Sequence, residues 1–138
     1  MRHGETVFVD SGAWIALALT RDPLHQAAVQ QWELLQRFGV KLHTSVPVIV
    51  ETFTFLDRNA NRDVAMAWRE SIYRPGTVRI LPCELSDLEQ SWDYFRRFDL
   101  HKLSAVDATS FAIMSRVRIR TAYTFDHHFA AAGFRSIA

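Results

Sequence analysis

Short runs rich in β-branched and aromatic residues alternate with segments of helical spacing along this chain, and that alternation is the strongest constraint on its fold. Thr6-Val-Phe-Val leads into Asp10, and Ser11 to Leu19 continues with helix-compatible apolar residues. Asp22-Pro23 then offers an N-cap and a first-turn proline. Leu24, Ala28, Trp32 and Leu35 recur at helical spacing, and Gly39 stands where a helix is capped. Val40 to Thr44 is predicted as the second strand, with Ser45 and Pro47 opening a helix that passes through Glu51 to about Asp57. Asn61 to Tyr73 is a further helix, closed by Pro75-Gly76, and Thr77 to Leu81 is the third strand. Ser86-Asp-Leu-Glu89 has the form of a capping box before Trp92, Phe95 and Phe98, which are expected on a helix. Ser104-Ala-Val-Asp107 has a similar form and opens a helix to about Val117. Thr121 to Phe125 is the fourth strand, closed by Asp126, and a short helix from His127 to Ala132 precedes a last strand, Phe134 to Ile137. Such an order predicts a mostly parallel sheet of four to five strands covered on both faces, a three-layer α/β/α domain over residues 1–138.

A chain of 138 residues that is 49% apolar and 22% charged can bury a continuous core without disulfides or a structural metal. Its one cysteine, Cys83, excludes an internal disulfide and a multi-thiolate zinc site, and reads as a small buried hydrophobe suited to a reducing compartment. The longest apolar stretch, Val46 to Leu56, is interrupted by Glu51 and falls short of the roughly 20 residues of a membrane span. The first residues carry no leader-like apolar segment, so the expected location is the cytoplasm, with no membrane partner. Sixteen basic and fifteen acidic residues leave a net charge of +1, so any attraction for nucleic acid must come from local clusters.

In an open parallel α/β sheet, ligands bind beyond the carboxyl ends of the strands near the switch in strand order. Asp10 and Asp126 follow strands one and four, and Asp107 lies in the first turn of the helix leading into strand four. Singly, each has an ordinary role as a turn, cap or helix-dipole residue. Glu51 is harder to explain, because its segment reads as too apolar to be fully exposed on any side, and an ionised carboxylate there needs a metal or a cationic partner. Taken together, acids gathered at one sheet edge repel, and a divalent cation relieves them. Oxygen ligands without cysteine or ligand-spaced histidines suit Mg²⁺ or Mn²⁺, and such an ion suits phosphodiester hydrolysis. His127-His128 is adjacent rather than ligand-spaced and reads mainly as structural or solvated, with contact of one histidine to substrate near Asp126 as the lesser alternative. Ser11 and Thr109 are candidates for orienting a water or a phosphate, against the plainer role of capping or back-bonding.

At these same positions the chain resembles the PIN-domain family, and within it the VapC-like toxin ribonucleases of toxin–antitoxin pairs. The pieces that carry the resemblance are Val7-Phe-Val-Asp10-Ser-Gly-Ala-Trp14, Val48-Ile-Val-Glu51-Thr-Phe, Leu103-Ser-Ala-Val-Asp107-Ala-Thr-Ser-Phe111 and Thr124-Phe-Asp126-His-His-Phe-Ala-Ala-Ala-Gly-Phe134, spread over nearly the whole chain. The resemblance implies a PIN fold, Mg²⁺- or Mn²⁺-dependent endoribonuclease activity, a homodimer, and inhibition by a small antitoxin of VapB type. By position it makes Asp10 and Asp107 the principal metal ligands, with Glu51 and Asp126 completing an acidic quartet.

Arg96, Arg97 and Lys102 flank the path to Asp107 and are candidates for contacting substrate phosphates, whereas Arg116, Arg118 and Arg120 approach the other end of strand four and read as a solvated face. Asp99 reads as a solvated loop acid. The tryptophans are expected mostly in the core or at an interface, Trp14, on the helix leaving Asp10, being the candidate to border the substrate groove or receive a partner segment. A receiver domain is excluded because Leu81-Pro82-Cys83 offers no phosphoacceptor after strand three. A haloacid-dehalogenase-type phosphatase is excluded because Gly12 stands where its second aspartate belongs, and no glycine-rich nucleotide loop is present. An RNA-processing nuclease without a toxin role, and a catalytically weak module that binds RNA or protein, remain as alternatives.

Overall fold

The computed structural model describes residues 1–137. Five parallel strands form one sheet: β1 (Thr6–Val9), β2 (Lys41–Ser45), β3 (Arg79–Leu81), β4 (Thr121–Tyr123) and β5 (Arg135–Ile137), in the order β3-β2-β1-β4-β5. The chain first builds outward from β1 through β2 to β3. It then returns to the other side of β1 with β4, so the strand order reverses between β1 and β4. Central β1 is apolar on both faces, with Val7, Phe8 and Val9 fully buried, as a strand covered by helices requires.

Helices α1 (Ser11–Ala18) and α2 (His25–Arg37) pack together, and the Tyr123 hydroxyl donates to the Ala28 carbonyl, fastening α2 to the sheet. Helix α3 (Val46–Asn59) packs on α1, on α4 (Arg62–Ile72) and on α6 (Ala105–Val117), and α6 packs on α5 (Leu85–Ser91) and on the short α7 (His128–Ala131). Trp14, Trp32 and Trp68 form a cluster across α1, α2 and α4 with ring centroids 6.0 and 6.2 Å apart. Trp14 is buried and donates its indole N–H to Thr44. Among the described residues no helix is long and apolar enough to cross a membrane.

The predicted order of elements matches the structure, and the differences are local. Helix α2 starts at His25, because Asp22 accepts the Leu24 N–H in a tight turn that precedes the helix. Gly39, at φ 58°, follows the last turn as expected. The capping box before α5 begins two residues earlier than read: Glu84 is the cap and its N–H donates to Asp87. Trp92 and Phe95 lie on a 3₁₀ turn (Trp92–Arg96), followed by Phe98 in a loop, and all three are exposed rather than packed as a helix face. Helix α3 leaves Val46, Val50 and Phe55 partly exposed in the single chain, at 47%, 59% and 39%, while Val48, Thr52 and Leu56 are buried. Cys83 packs only partly buried against the core. Arg116 is not a solvated arginine: it crosses from α6 to α5 and pairs with the buried carboxylate of Asp87 at 2.9 Å.

Candidate active site

A parallel strand that ends at a helix N-terminus delivers its next residue to the carboxyl edge of the sheet, and here that residue is Asp10. Asp10 is the N-cap of α1 by backbone conformation, yet its side chain makes no capping bond. Instead Asp10 Oδ2 accepts the Thr124 hydroxyl at 2.9 Å, from the residue just past β4. Ser11, next along, donates to Glu51 Oε1 at 2.5 Å and lies 3.5 Å from Asp10 Oδ1, so one hydroxyl joins the first and second acids. Glu51 arrives on α3, which Ser45 starts by accepting the Val48 N–H at 3.4 Å. Ser104 caps α6 by accepting the Asp107 N–H at 3.0 Å, which leaves the Asp107 side chain free to face the other carboxylates. Asp126 lies three residues beyond β4, in a turn where its N–H donates to Thr124 at 3.0 Å.

The quartet expected from the sequence thus converges on one cleft of about 510 Å³ at the switch between β1 and β4, lined by Asp10, Ser11, Glu51, Lys102, Asp107 and Asp126 among others. Burial, reinforced by the charges of Asp126 and Glu51, raises the Asp10 carboxyl to about 6 despite the hydrogen bonds from Thr124 and Ser11. Asp107 is pushed up to about 9, first by burial and then by the neighbouring charge of Asp10, by its hydrogen-bond contact with Asp126 and by the remaining acids. Burial acts upward on Asp126 as well, but hydrogen bonds from Asp107 and from the His128 backbone, together with the His128 ring, hold it below the usual carboxylate range. Among the described residues no lysine or arginine forms an ion pair with any of the four acids. Carboxylates that raise one another's proton affinity with no lysine or arginine paired to them are a fitting donor set for a hard divalent cation.

The other candidates separate. Ser11 lines the cleft, whereas Thr109 does not: its hydroxyl turns back to the Val106 carbonyl at 2.6 Å, the ordinary use of a helical threonine. Lys102 lines the cleft. Arg96 pairs with Asp93 at 2.7 Å, and Arg97 is committed to Asp99 at 2.6 Å and to the Ala131 carbonyl at 2.8 Å, so Asp99 is the exposed loop acid expected, with Arg97 as its ion-pair partner. Trp14 borders a separate apolar cavity with Trp32 and Trp68, away from the acids. Sequence reasoning misses Thr124 and gives the His127-His128 pair a mainly structural or solvated role. The only signal for either is the Thr-Phe-Asp-x-His spacing, in which Thr124 holds Asp10 and His128 holds Asp126. Asp126, His127 and His128 bring potential ligand atoms within 4.8 Å of one another, but both His128 ring nitrogens already face acceptors of the protein.

A parallel sheet of this strand order, with carboxylates from β1, α3, α6 and the β4 edge meeting at its switch point, defines a PIN domain: residues 7–135 match the PIN-domain family, and the chain belongs to it. Within that family it is 38% identical over 129 residues to the 23S rRNA-specific endonuclease VapC20 of Mycobacterium tuberculosis, covering 93% of this chain and 95% of the relative. The crystal structure of VapC20, described as a sarcin–ricin loop cleaving toxin, superposes with a TM-score of 0.82 at 36% identity over 93% of this chain and 95% of that one. The fold is shared more widely. VapBC2 from Rickettsia felis matches at a TM-score of 0.69 with 10% identity, covering 96% of this chain and 97% of that one. FitAcB from Neisseria gonorrhoeae matches at 0.68 with 17% identity, covering 96% of each chain.

Proposed function

We propose that the chain acts, as a single nuclease unit, as a divalent-cation-dependent endoribonuclease, the toxin of a toxin–antitoxin pair, whose target is a structured segment of 23S ribosomal RNA. The observation that carries the reading is the cluster of four carboxylates, none paired with a lysine or arginine, at the β1–β4 switch. Asp10 and Asp107 are the principal ligands for Mg²⁺ or Mn²⁺, with Glu51 and Asp126 completing the set. Held there, the ion supplies charge neutralisation and acidifies water for phosphodiester hydrolysis. Ser11 and Thr124 fix the carboxylate oxygens of Glu51 and Asp10 before any ligand arrives, so little reorganisation accompanies binding. Lys102 is the cleft residue suited to meet a substrate phosphate. The likeness to VapC20 at 38% identity over nearly the full length supports the ribosomal target and the toxin role.

The same reading assigns a homodimer, a VapB-type antitoxin as inhibitor, and action in the cytoplasm where ribosomal RNA is found. The exposed apolar residues Val46, Val50 and Phe55 on α3 give the dimer a surface to bury. Incubation of purified protein with ribosomes and with unrelated RNAs, in Mg²⁺, in Mn²⁺ and in chelator, followed by mapping of new 5′ ends, tests it. Metal-dependent cuts confined to 23S rRNA, absent for folded Asp10→Asn, are expected. Cuts in every RNA alike would support a general processing nuclease instead.

A further inference from the structure

His128, the first residue of α7, is 6% exposed and has an acceptor at each ring nitrogen. Its Nδ1 lies 2.6 Å from Asp126 Oδ1, and its Nε2 lies 2.6 Å from the carbonyl oxygen of His101. A backbone carbonyl only accepts, so Nε2 carries a proton and donates it there. The backbone N–H of His128 also donates to Asp126 Oδ1, at 2.8 Å. One oxygen of the fourth acid is therefore held twice by a single residue. On its far side the imidazole fastens a peptide whose next residue is Lys102, and Lys102 takes a left-handed backbone, φ 56°, that a non-glycine residue rarely adopts. That residue lines the acidic cleft.

We propose that His128 is a positioning residue that sets the Asp126 carboxylate and the Lys102-bearing loop through one imidazole, so that the metal side and the phosphate side of the cleft are held in register. The proposal rests on the nuclease reading, because it gives Asp126 to the cation and Lys102 to the substrate. Both ring nitrogens of His128 are engaged by protein acceptors, so the imidazole is not offered to the cation. His127, 83% exposed at its side chain, lies against it with ring centroids 4.2 Å apart and brings its Nδ1 within 3.9 Å of Asp126 Oδ1.

Two half-replacements separate the two arms of the imidazole. His128→Asn keeps a donor near the Nδ1 position and loses the reach to His101, whereas His128→Gln keeps a donor near Nε2 and loses the side-chain contact to Asp126, leaving only the backbone N–H. Each is compared with wild type at equal folded fraction, fixed by thermal melting. The readouts are Mn²⁺ affinity by calorimetry, amide exchange of the 99–104 peptide, and kcat and KM on RNA. For His128→Gln the expected change is a loss of about 10-fold in Mn²⁺ affinity and kcat, as for other groups that orient metal ligands, with the loop still protected. For His128→Asn it is faster loop exchange and a KM raised by about 10-fold, with the larger part of Mn²⁺ affinity kept. Equal effects of the two variants, or a lowered melting temperature with all other readouts at wild-type values, would overturn the proposal. Should wild type cut no RNA while Mn²⁺ affinity and loop exchange still divide between the variants, the nuclease reading falls and the positioning role stands. If wild type cuts RNA and the variants do not divide, the positioning role falls alone.

Discussion

Thr124 Oγ1 donates to Asp10 Oδ2 at 2.9 Å, joining the residue after β4 to the residue after β1 across a sequence separation of 114. The hydrogen bond lies at the point where the strand order reverses, and it opposes the burial that raises the Asp10 carboxyl to about 6. Thr124→Val keeps the shape and removes the donor. Hydrogen bonds to charged groups contribute about 1.5 to 3 kcal/mol, so kcat/KM is expected to fall roughly 10-fold or more. The acid limb of its pH profile should move to higher pH, because Asp10 then binds its proton more tightly. A pH–rate series on wild type and Thr124→Val measures both.

Metal-free stability should fall as pH rises. Asp10 and Asp107 have folded-state proton affinities above their unfolded values, to about 6 and about 9, so between about pH 4 and 9 the native state holds more protons than the unfolded chain. Stability therefore declines with rising pH across that window. The lowered acids Asp87 and Glu5 act in the opposite direction only as pH drops below the ordinary carboxylate range. In chelator, the melting temperature should decrease from pH 5 to pH 9. Mn²⁺ should raise it most at the alkaline end, and Asp107→Asn should flatten the chelated curve.

The Asp87–Arg116 pair is structural. Asp87 is 2% exposed at its side chain and also accepts the Glu84 N–H, while Arg116 is 35% exposed and reaches the Pro82 carbonyl. Arg116→Met strands a buried carboxylate and should cost about 2 to 3 kcal/mol, the low end for a buried pair because the arginine is partly solvated. Denaturant melts measure this, with kcat of the folded fraction unchanged and Asp87→Asn/Arg116→Met recovering part of the loss.

Lys102→Met should weaken RNA binding across sequences and reduce the salt slope of affinity by about 1, as expected when one phosphate contact is lost. Arg96→Ala should leave the slope nearly as it is, since Arg96 is paired with Asp93 and lies outside the cleft lining. Binding isotherms for Asp10→Asn carrying each change, at several salt concentrations, compare them without cleavage.

If α3 forms the subunit contact, Val50→Lys should convert a species of twice 15.9 kDa into one of 15.9 kDa in light scattering. Persistence of the larger species would place the interface elsewhere.

Element order and the acidic quartet were legible in the sequence because each rests on local chemistry: β-branched runs, caps such as Ser45, Asn61 and Ser104, and acids at strand or helix ends. What was illegible depends on contacts between distant segments. Nothing local marks Arg116 as the partner of Asp87, twenty-nine residues away, rather than a member of a basic face. The apolar spacing of Trp92, Phe95 and Phe98 reads as a helix face, yet the chain turns into a 3₁₀ segment there and leaves Phe98 93% exposed. Thr109 and Thr124 look alike as hydroxyls near acids. Only the fold shows that the first satisfies its own helix while the second reaches Asp10.

The most direct test of the central claim is cleavage of ribosomal RNA by wild type and by folded Asp107→Asn, in Mg²⁺, in chelator, and after Mg²⁺ is restored to the chelated sample. Wild type should cut in Mg²⁺, stop in chelator and recover on restoration, and Asp107→Asn should cut at least 100-fold more slowly than wild type wherever Mg²⁺ is present, a loss no smaller than the roughly 10- to 100-fold that follows when only a partner of a metal ligand is removed. Cleavage that persists in chelator, or that Asp107→Asn performs at the wild-type rate, would contradict a metal-dependent nuclease built on these four carboxylates.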